Sequence, residues 1–271
     1  MSDTTSAALT GAPLTGAPLT GDVLTSDAWV RRYHVRQDAA VRLVCFPHAG
    51  SSAPFYRPLS AGAGPAIDVL SVQYPGRQDR RLEPLVDDLG VLTEQIVEAL
   101  LPWLDRPFAL FGHSMGATLA FEAARRLEAL GQHPLHLFAS GRRAPSRSRD
   151  EHVHQRDDEG LMAEMRSLSG TDQRILGEEE LMRMVLPVVR NDYRAAETYV
   201  YRDPSLLHCP VTVLTGDADP KVTLAEAEAW SEHTTGPTRM HVYTGGHFFL
   251  TDHQDQVLAL LRGALAVHTA S

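Results

Sequence analysis

Phe108-Ala-Leu-Phe-Gly-His-Ser-Met-Gly-Ala-Thr-Leu119 is the stretch on which the fold of this chain turns. An apolar run, Phe108 to Phe111, meets Gly112-His113-Ser114-Met115-Gly116, and a helical pattern from Ala117 to Leu130 follows and stops at Gly131. With Gly and Ser each near ~7% of residues, chance alone supplies a Gly-x-Ser-x-Gly about once in ten chains of this length. Between a strand and a helix, however, the pattern carries a mechanism. A turn that sharp pushes its serine into a strained conformation, and only glycine at the flanking sites lets the neighbouring backbone come close enough. It also aims the Ser114 hydroxyl and the Met115 N–H at one point, beside a helix N-terminus.

Outward from this turn, the chain alternates between two periodicities. Val41 to Phe46 reads as a buried strand running into Pro47-His48-Ala49-Gly50, and Ile67 to Val72 as a second, closed by Tyr74-Pro75-Gly76. Leu89, Leu92, Ile96, Val97 and Leu100 recur at helical spacing, with Pro102 just beyond. Leu135 to Ala139, Val211 to Leu214 and Met240 to Tyr243 read as further strands, and Leu224–Trp230 and Gln256–Val267 as helices. Short apolar strands alternating with helices predict an α/β fold with a mostly parallel sheet and helices on both faces. The rhythm breaks after Ser140-Gly-Arg-Arg-Ala-Pro145, where a charged stretch precedes two amphipathic helices, roughly Glu159–Leu168 and Glu178–Tyr199. That insertion is too long for a simple crossover. The expected organisation is a core of 28–145 and 200–271, with 146–199 as a helical lid above the sheet. Residues 1–27 repeat Leu-Thr-Gly-Ala-Pro at 9–13 and 14–18, a tract too poor in apolar residues to bury a core. They are expected to form a flexible tail, and they lack the basic start and apolar run of a signal peptide.

Composition narrows the function. In 271 residues, 43% hydrophobic and 22% charged, there is enough apolar surface for a core without disulfides or structural metal. Cys45 and Cys209 lie in apolar runs without ligand-like spacing and read as reduced, buried residues, which predicts a cytoplasmic protein. A net charge of −9 argues against nucleic acid as partner, and no apolar run approaches the ~18 residues of a membrane span. Lys221 is the sole lysine among 25 basic residues, which reads as a compositional bias.

A serine hydroxyl needs a base to become a nucleophile. Most of the thirteen histidines sit in polar or terminal stretches. His247 differs, because Gly245-Gly246-His247-Phe248 directly follows the last strand, at the rim where open α/β sheets place their sites. His48 and His113 are its competitors; His113, adjacent to the nucleophile, reads as structural. The base needs an acid to hold its tautomer. Gly216-Asp217-Ala218-Asp219-Pro220 offers two, and Asp219 is favoured because it lies further into the loop, whereas Asp217 is placed to fix the turn. The predicted triad is therefore Ser114, Asp219 and His247. An oxyanion hole would take the Met115 N–H and that of Ala49, with Gly50 as the alternative. No metal site is expected. The lid carries Met162, Met165, Met182 and Met184, and methionine adapts to irregular apolar shapes. Such methionines read first as helix core; as substrate-binding candidates stand Met162, Met165 and Met182, with His48 and Phe248 on the rim loops. Arg142, Arg143, Arg147 and Arg149 could meet an anionic group.

The chain resembles the type II thioesterases that accompany polyketide synthases and non-ribosomal peptide synthetases. The resemblance covers roughly 35–265 and rests on Phe46-Pro-His-Ala-Gly50, Tyr74-Pro-Gly-Arg77, Phe111-Gly-His-Ser-Met-Gly116, Ser140-Gly-Arg-Arg-Ala-Pro145, Gly216-Asp-Ala-Asp-Pro220 and Gly245-Gly-His-Phe248. It implies an α/β-hydrolase core with a helical lid, and the same three residues as triad. It also implies hydrolysis of acyl thioesters from the phosphopantetheine arms of acyl- or peptidyl-carrier proteins, clearing aberrant or stalled groups during antibiotic-type biosynthesis. Phosphopantetheine would enter as part of the substrate, no other cofactor is expected, and the chain is expected to act as a monomer. A small-molecule carboxylesterase, a chain-releasing cyclase and a non-catalytic carrier-binding relative are the rival readings.

Overall fold

A computed structural model describes residues 26–168 and 179–268. Most of the repetitive 1–27 segment therefore lies outside the described residues. Among those described, strands β1 (Val30–Arg31), β2 (Val41–Phe46), β3 (Ile67–Val72), β4 (Phe108–His113), β5 (Leu137–Ser140), β6 (Val211–Gly216) and β7 (Thr238–Tyr243) form one sheet in the order β1-β3-β2-β4-β5-β6-β7. β1 pairs antiparallel with β3, and every other pairing is parallel. The two-residue β1 was not anticipated, since two residues are too few to establish a period. β4 and β6 each run two residues beyond their predicted ends.

Period-two alternation explains why the sheet is covered on both sides. In β2, Val41, Leu43 and Cys45 face one apolar cluster, and Val44 and Phe46 face another. The second cluster takes α1 (Ser26–Trp29), α3 (Leu89–Leu100) and α4 (Met115–Ala129); the first takes α2 (Arg57–Gly62), α8 (Phe249–Asp252) and α9 (Gln254–Leu265). α3 starts where the Asp88 carboxylate accepts the Val91 N–H at 2.9 Å, an N-cap that satisfies an otherwise orphaned donor. The short α7 (Leu224–Glu228) opens on a capping box between Thr223 and Glu226.

Two helices interrupt the core between β5 and β6: α5 (Asp158–Ser167) and α6 (Glu179–Thr198), close to the predicted bounds. They share a small apolar cluster of their own, with Val153, Leu161, Met162, Leu186 and Val189 buried. Because β2, β4, β6 and β7 run parallel, their carboxyl ends open on one rim, and the loops bearing Ala49, Ser114, Asp219 and His247 all leave from it.

α4 lies on the sheet closely enough for backbone to touch backbone. A Cβ on Gly116 would fall well inside van der Waals contact with the Phe46 carbonyl, and one on Gly112 would strike the Gly116 peptide. Neither neighbour is a flexible side chain that could swing away. Gly116→Ala is accordingly expected to cost about 1–3 kcal/mol by overpacking, a fall of roughly 3–10 °C in Tm. Thermal unfolding checks this, and an unchanged Tm would mean that the helix does not seat against β2 as described.

Candidate active site

Ser114 stands alone between the last residue of β4 and the first of α4, at φ +54° and ψ −122°. That region costs a non-glycine residue about 1–3 kcal/mol. The surroundings hold it there: the Ser114 N–H donates to the Ser140 carbonyl at 2.8 Å, and its carbonyl accepts from Ala117 at 2.9 Å.

His247 leaves β7 through Thr244-Gly245-Gly246, with Gly245 at φ +124°. Its Nδ1 lies 2.9 Å and 3.1 Å from the two carboxylate oxygens of Asp219. Both side chains are buried, and Asp219 Oδ1 also accepts the Lys221 N–H at 2.8 Å. A ring nitrogen facing a carboxylate carries the proton, which leaves Nε2 as the acceptor a general base needs. Asp217 is exposed and works differently. Its Oδ1 accepts the Gly245 N–H at 2.9 Å and its own N–H donates to the Tyr243 carbonyl at 2.8 Å, so it ties the β6 loop to the β7 loop. Ser114 and His247 line the same cavity. Among the described residues no hydrogen bond joins them, the open geometry catalytic pairs commonly have before substrate arrives.

The loop after β2 is a turn closed by the Ser51 N–H on the His48 carbonyl at 3.0 Å, with Gly50 at φ +75° in its third position, where glycine is required. Two buried tyrosines brace its approach: Tyr56 donates to the Phe46 carbonyl at 2.7 Å and Tyr74 to the Pro47 carbonyl at 3.0 Å. The Gly50 N–H is engaged, donating to Asp192 Oδ2 at 2.7 Å. Ala49 has no such partner among the described residues and lines the cavity with Met115, whose N–H, first in its helix, has no intrahelical acceptor. Of the backbone donors expected here, Ala49 and Met115 have no acceptor among the described residues, whereas Gly50 is taken.

The other two imidazoles near the base stay neutral. His113 is fully buried behind the nucleophile, bonded through Nδ1 to Ser140 Oγ at 3.0 Å, and burial holds its pKa well below the usual histidine value. His48 packs edge-on against Phe55 and Phe248, with centroids at 4.6 Å and 4.8 Å. Burial, with smaller contributions from His247 and Arg77, lowers its pKa to about 3.

The cavity above Ser114 measures about 540 Å³ and is walled by both core and lid. His48 and Phe248 face it from the rim and Met165 from α5. Met162 does not: it is buried in the lid's own cluster with Leu161, Leu186 and Val189, because it packs between the two lid helices and not below them. The Met182 side chain lies outside the described residues. Of the four arginines, Arg143, Arg147 and Arg149 are taken up by Glu151, Glu232 and Glu226 at 3.0, 2.5 and 2.5 Å. Arg142 remains in the cavity wall, its Nε on Thr118 Oγ1 at 3.0 Å, with burial pushing its pKa down to about 10. Sequence reasoning passed over Lys221, whose ammonium reaches Glu151 at 3.0 Å and also Glu164 at this wall. Its being the only lysine was the available signal.

The Thioesterase domain family model matches residues 41–265. The chain belongs to that family. It is 58% identical over 237 residues to a probable cadicidin biosynthesis thioesterase of Streptomyces griseus, covering 88% of this chain and 66% of that protein. It is 51% identical over 231 residues to Thioesterase PikA5 of Streptomyces venezuelae, covering 84% and 82%. The solved type II thioesterase BorB from the borrelidin biosynthetic cluster superposes with a TM-score of 0.84 at 51% identity, covering 89% of this thioesterase and 98% of that chain. The fold is accordingly that of the α/β-hydrolases.

Two outcomes follow for this thioesterase. Asp219→Asn removes the charge that holds the His247 tautomer and is expected to lower kcat by about 10⁴-fold. Asp217→Asn keeps an oxygen for the Gly245 N–H and should stay within about threefold; equal losses in steady-state hydrolysis would overturn this division of labour. The second concerns stability. His48, His113 and His136 (the last lowered to about 4, chiefly by burial) have folded pKa values below their unfolded value near 6.5. Between pH 6.5 and about 4 the unfolded chain therefore binds more protons, so their contribution to stability is full above pH 6.5 and is lost as pH falls. Thermal melts at pH 7 and pH 5 should show the lower Tm at pH 5, and an equal Tm would contradict the burial of these rings.

Proposed function

We propose that this thioesterase hydrolyses acyl groups from the phosphopantetheine arms of carrier proteins in polyketide or non-ribosomal peptide pathways, removing aberrant or stalled chains. The observation that carries the reading is the Asp219–His247 pair at 2.9 Å in one lidded cavity with Ser114 and two unengaged backbone donors. Ser114 attacks the thioester carbonyl while His247 takes its proton, and the Ala49 and Met115 amides hold the oxyanion. The imidazolium, stabilised by Asp219, protonates the departing thiol; water, activated by the same histidine, then releases the acid. This sequence calls on no metal or resident cofactor, and the phosphopantetheine arrives with the substrate. The names of two similar proteins, one a cadicidin biosynthesis thioesterase and one a type II thioesterase from the borrelidin biosynthetic cluster, support a biosynthetic pathway.

Intact-mass kinetics on acetyl- or propionyl-loaded carrier protein, beside the same acyl group on free pantetheine, test the proposal. Faster release from the carrier protein, absent in Ser114→Ala, is the expected result. Equal rates would reduce the activity to small thioesters without carrier recognition, and release from neither would sink the reading.

A further inference from the structure

The lid helix α6 does more than roof the cavity. Val189 lies directly on the oxyanion loop: a Cβ added to Gly50 would stand 2.6 Å from Val189 Cγ2. Three residues on, and so on the same face of the helix, the buried Asp192 accepts the Gly50 N–H at 2.7 Å and a two-pronged contact from the Arg77 guanidinium, 2.8 Å to each oxygen. Arg77 in turn donates to the Ser51 carbonyl at 3.2 Å, and the carbonyl of Arg77 is held by Gln73, whose Oε1 accepts the Ala53 N–H at 3.0 Å. The loop from Gly50 to Ala53 is thereby pinned between the lid and the segment after β3.

We infer that Asp192 is a positioning residue for the reaction: by taking the Gly50 N–H onto the lid it fixes the turn so that the neighbouring Ala49 N–H is left for the oxyanion. Because the acceptor belongs to the lid, the oxyanion hole is complete only when α6 is seated, and lid closure and catalytic competence are one event. The inference rests on the acyl-enzyme reading above, but not on the identity of the acyl carrier. A displaced donor weakens the transition state and leaves ground-state binding nearly untouched.

The test compares Asp192→Ala, which removes the acceptor of the Gly50 N–H, with Arg194→Ala, which breaks only an exposed contact between the same helix and Asp87. Three readouts serve: steady-state hydrolysis of p-nitrophenyl acetate, the rate of Ser114 labelling by a fluorophosphonate, and affinity for an alkylboronic acid that forms a tetrahedral adduct. Asp192→Ala is expected to lower kcat and labelling by about 10- to 100-fold. KM should hold within about threefold, and boronate affinity should fall in parallel with kcat; Arg194→Ala should match the wild type in all of them. If Asp192→Ala fails to fold, Arg77→Lys, which keeps the buried charges matched but loses the fork, should show the same pattern more weakly. An unchanged kcat in a folded variant, or a raised KM with kcat intact, overturns the inference and makes Asp192 a lid fastener only. Wild type that labels at Ser114 but leaves acyl carrier protein untouched would instead refute the proposed substrate and spare this inference.

Discussion

Everything at the active rim depends on how closely α4 approaches the sheet. With no side chain at Gly112 or Gly116, the first turn of the helix settles onto β4 and against the Phe46 carbonyl, and no room remains for Ser114 to relax from φ +54°. The strain is small beside the packing that enforces it. Ala117, Ala120, Ala123 and Ala124 continue the same narrow face, all fully buried, so the helix stays close along its length. Nucleophile, first amide donor and helix dipole converge because one backbone contact places all three.

From that contact outward, each further group is supplied by a different loop and secured by its neighbour. Asp217 joins the β6 and β7 loops, and this frees Asp219 to face His247. His113 fills the space behind the nucleophile, with Gly141 against its ring, and His48 packs between Phe55 and Phe248. Both are imidazoles that burial keeps uncharged at neutral pH. They shape the pocket without adding positive charge that would oppose protonation of His247 during the reaction.

The parts legible in the sequence are those written in short, local patterns. Six of the seven described strands, the strand-to-helix turn at Ser114 and the loops bearing Asp219 and His247 depend on apolar runs and glycines within a dozen residues of one another. What was not legible depends on tertiary register. Whether Met162 or Met165 reaches the cavity is decided by how α5 rotates against α6, which helical spacing alone does not specify. Asp192 and Arg77 are 115 residues apart, and nothing local marks either as the other's partner. Arg143, Arg147 and Arg149 read as a free basic cluster until the fold delivers a glutamate to each.

The Arg77–Asp192 pair also clarifies how the lid is attached. A buried ion pair returns little net stability, since desolvation offsets most of the attraction, and an apolar contact of similar volume often serves as well. The lid already has such contacts where Ala195, with Ala196 and Tyr199, packs into the main core cluster. Apolar packing tolerates sliding by a fraction of an ångström, whereas a bidentate carboxylate that also accepts a backbone N–H does not. The pair is thus suited to fixing position, and the place it fixes is one residue from an oxyanion donor. Strength of attachment comes from Ala195 and its apolar neighbours; accuracy of attachment comes from Asp192.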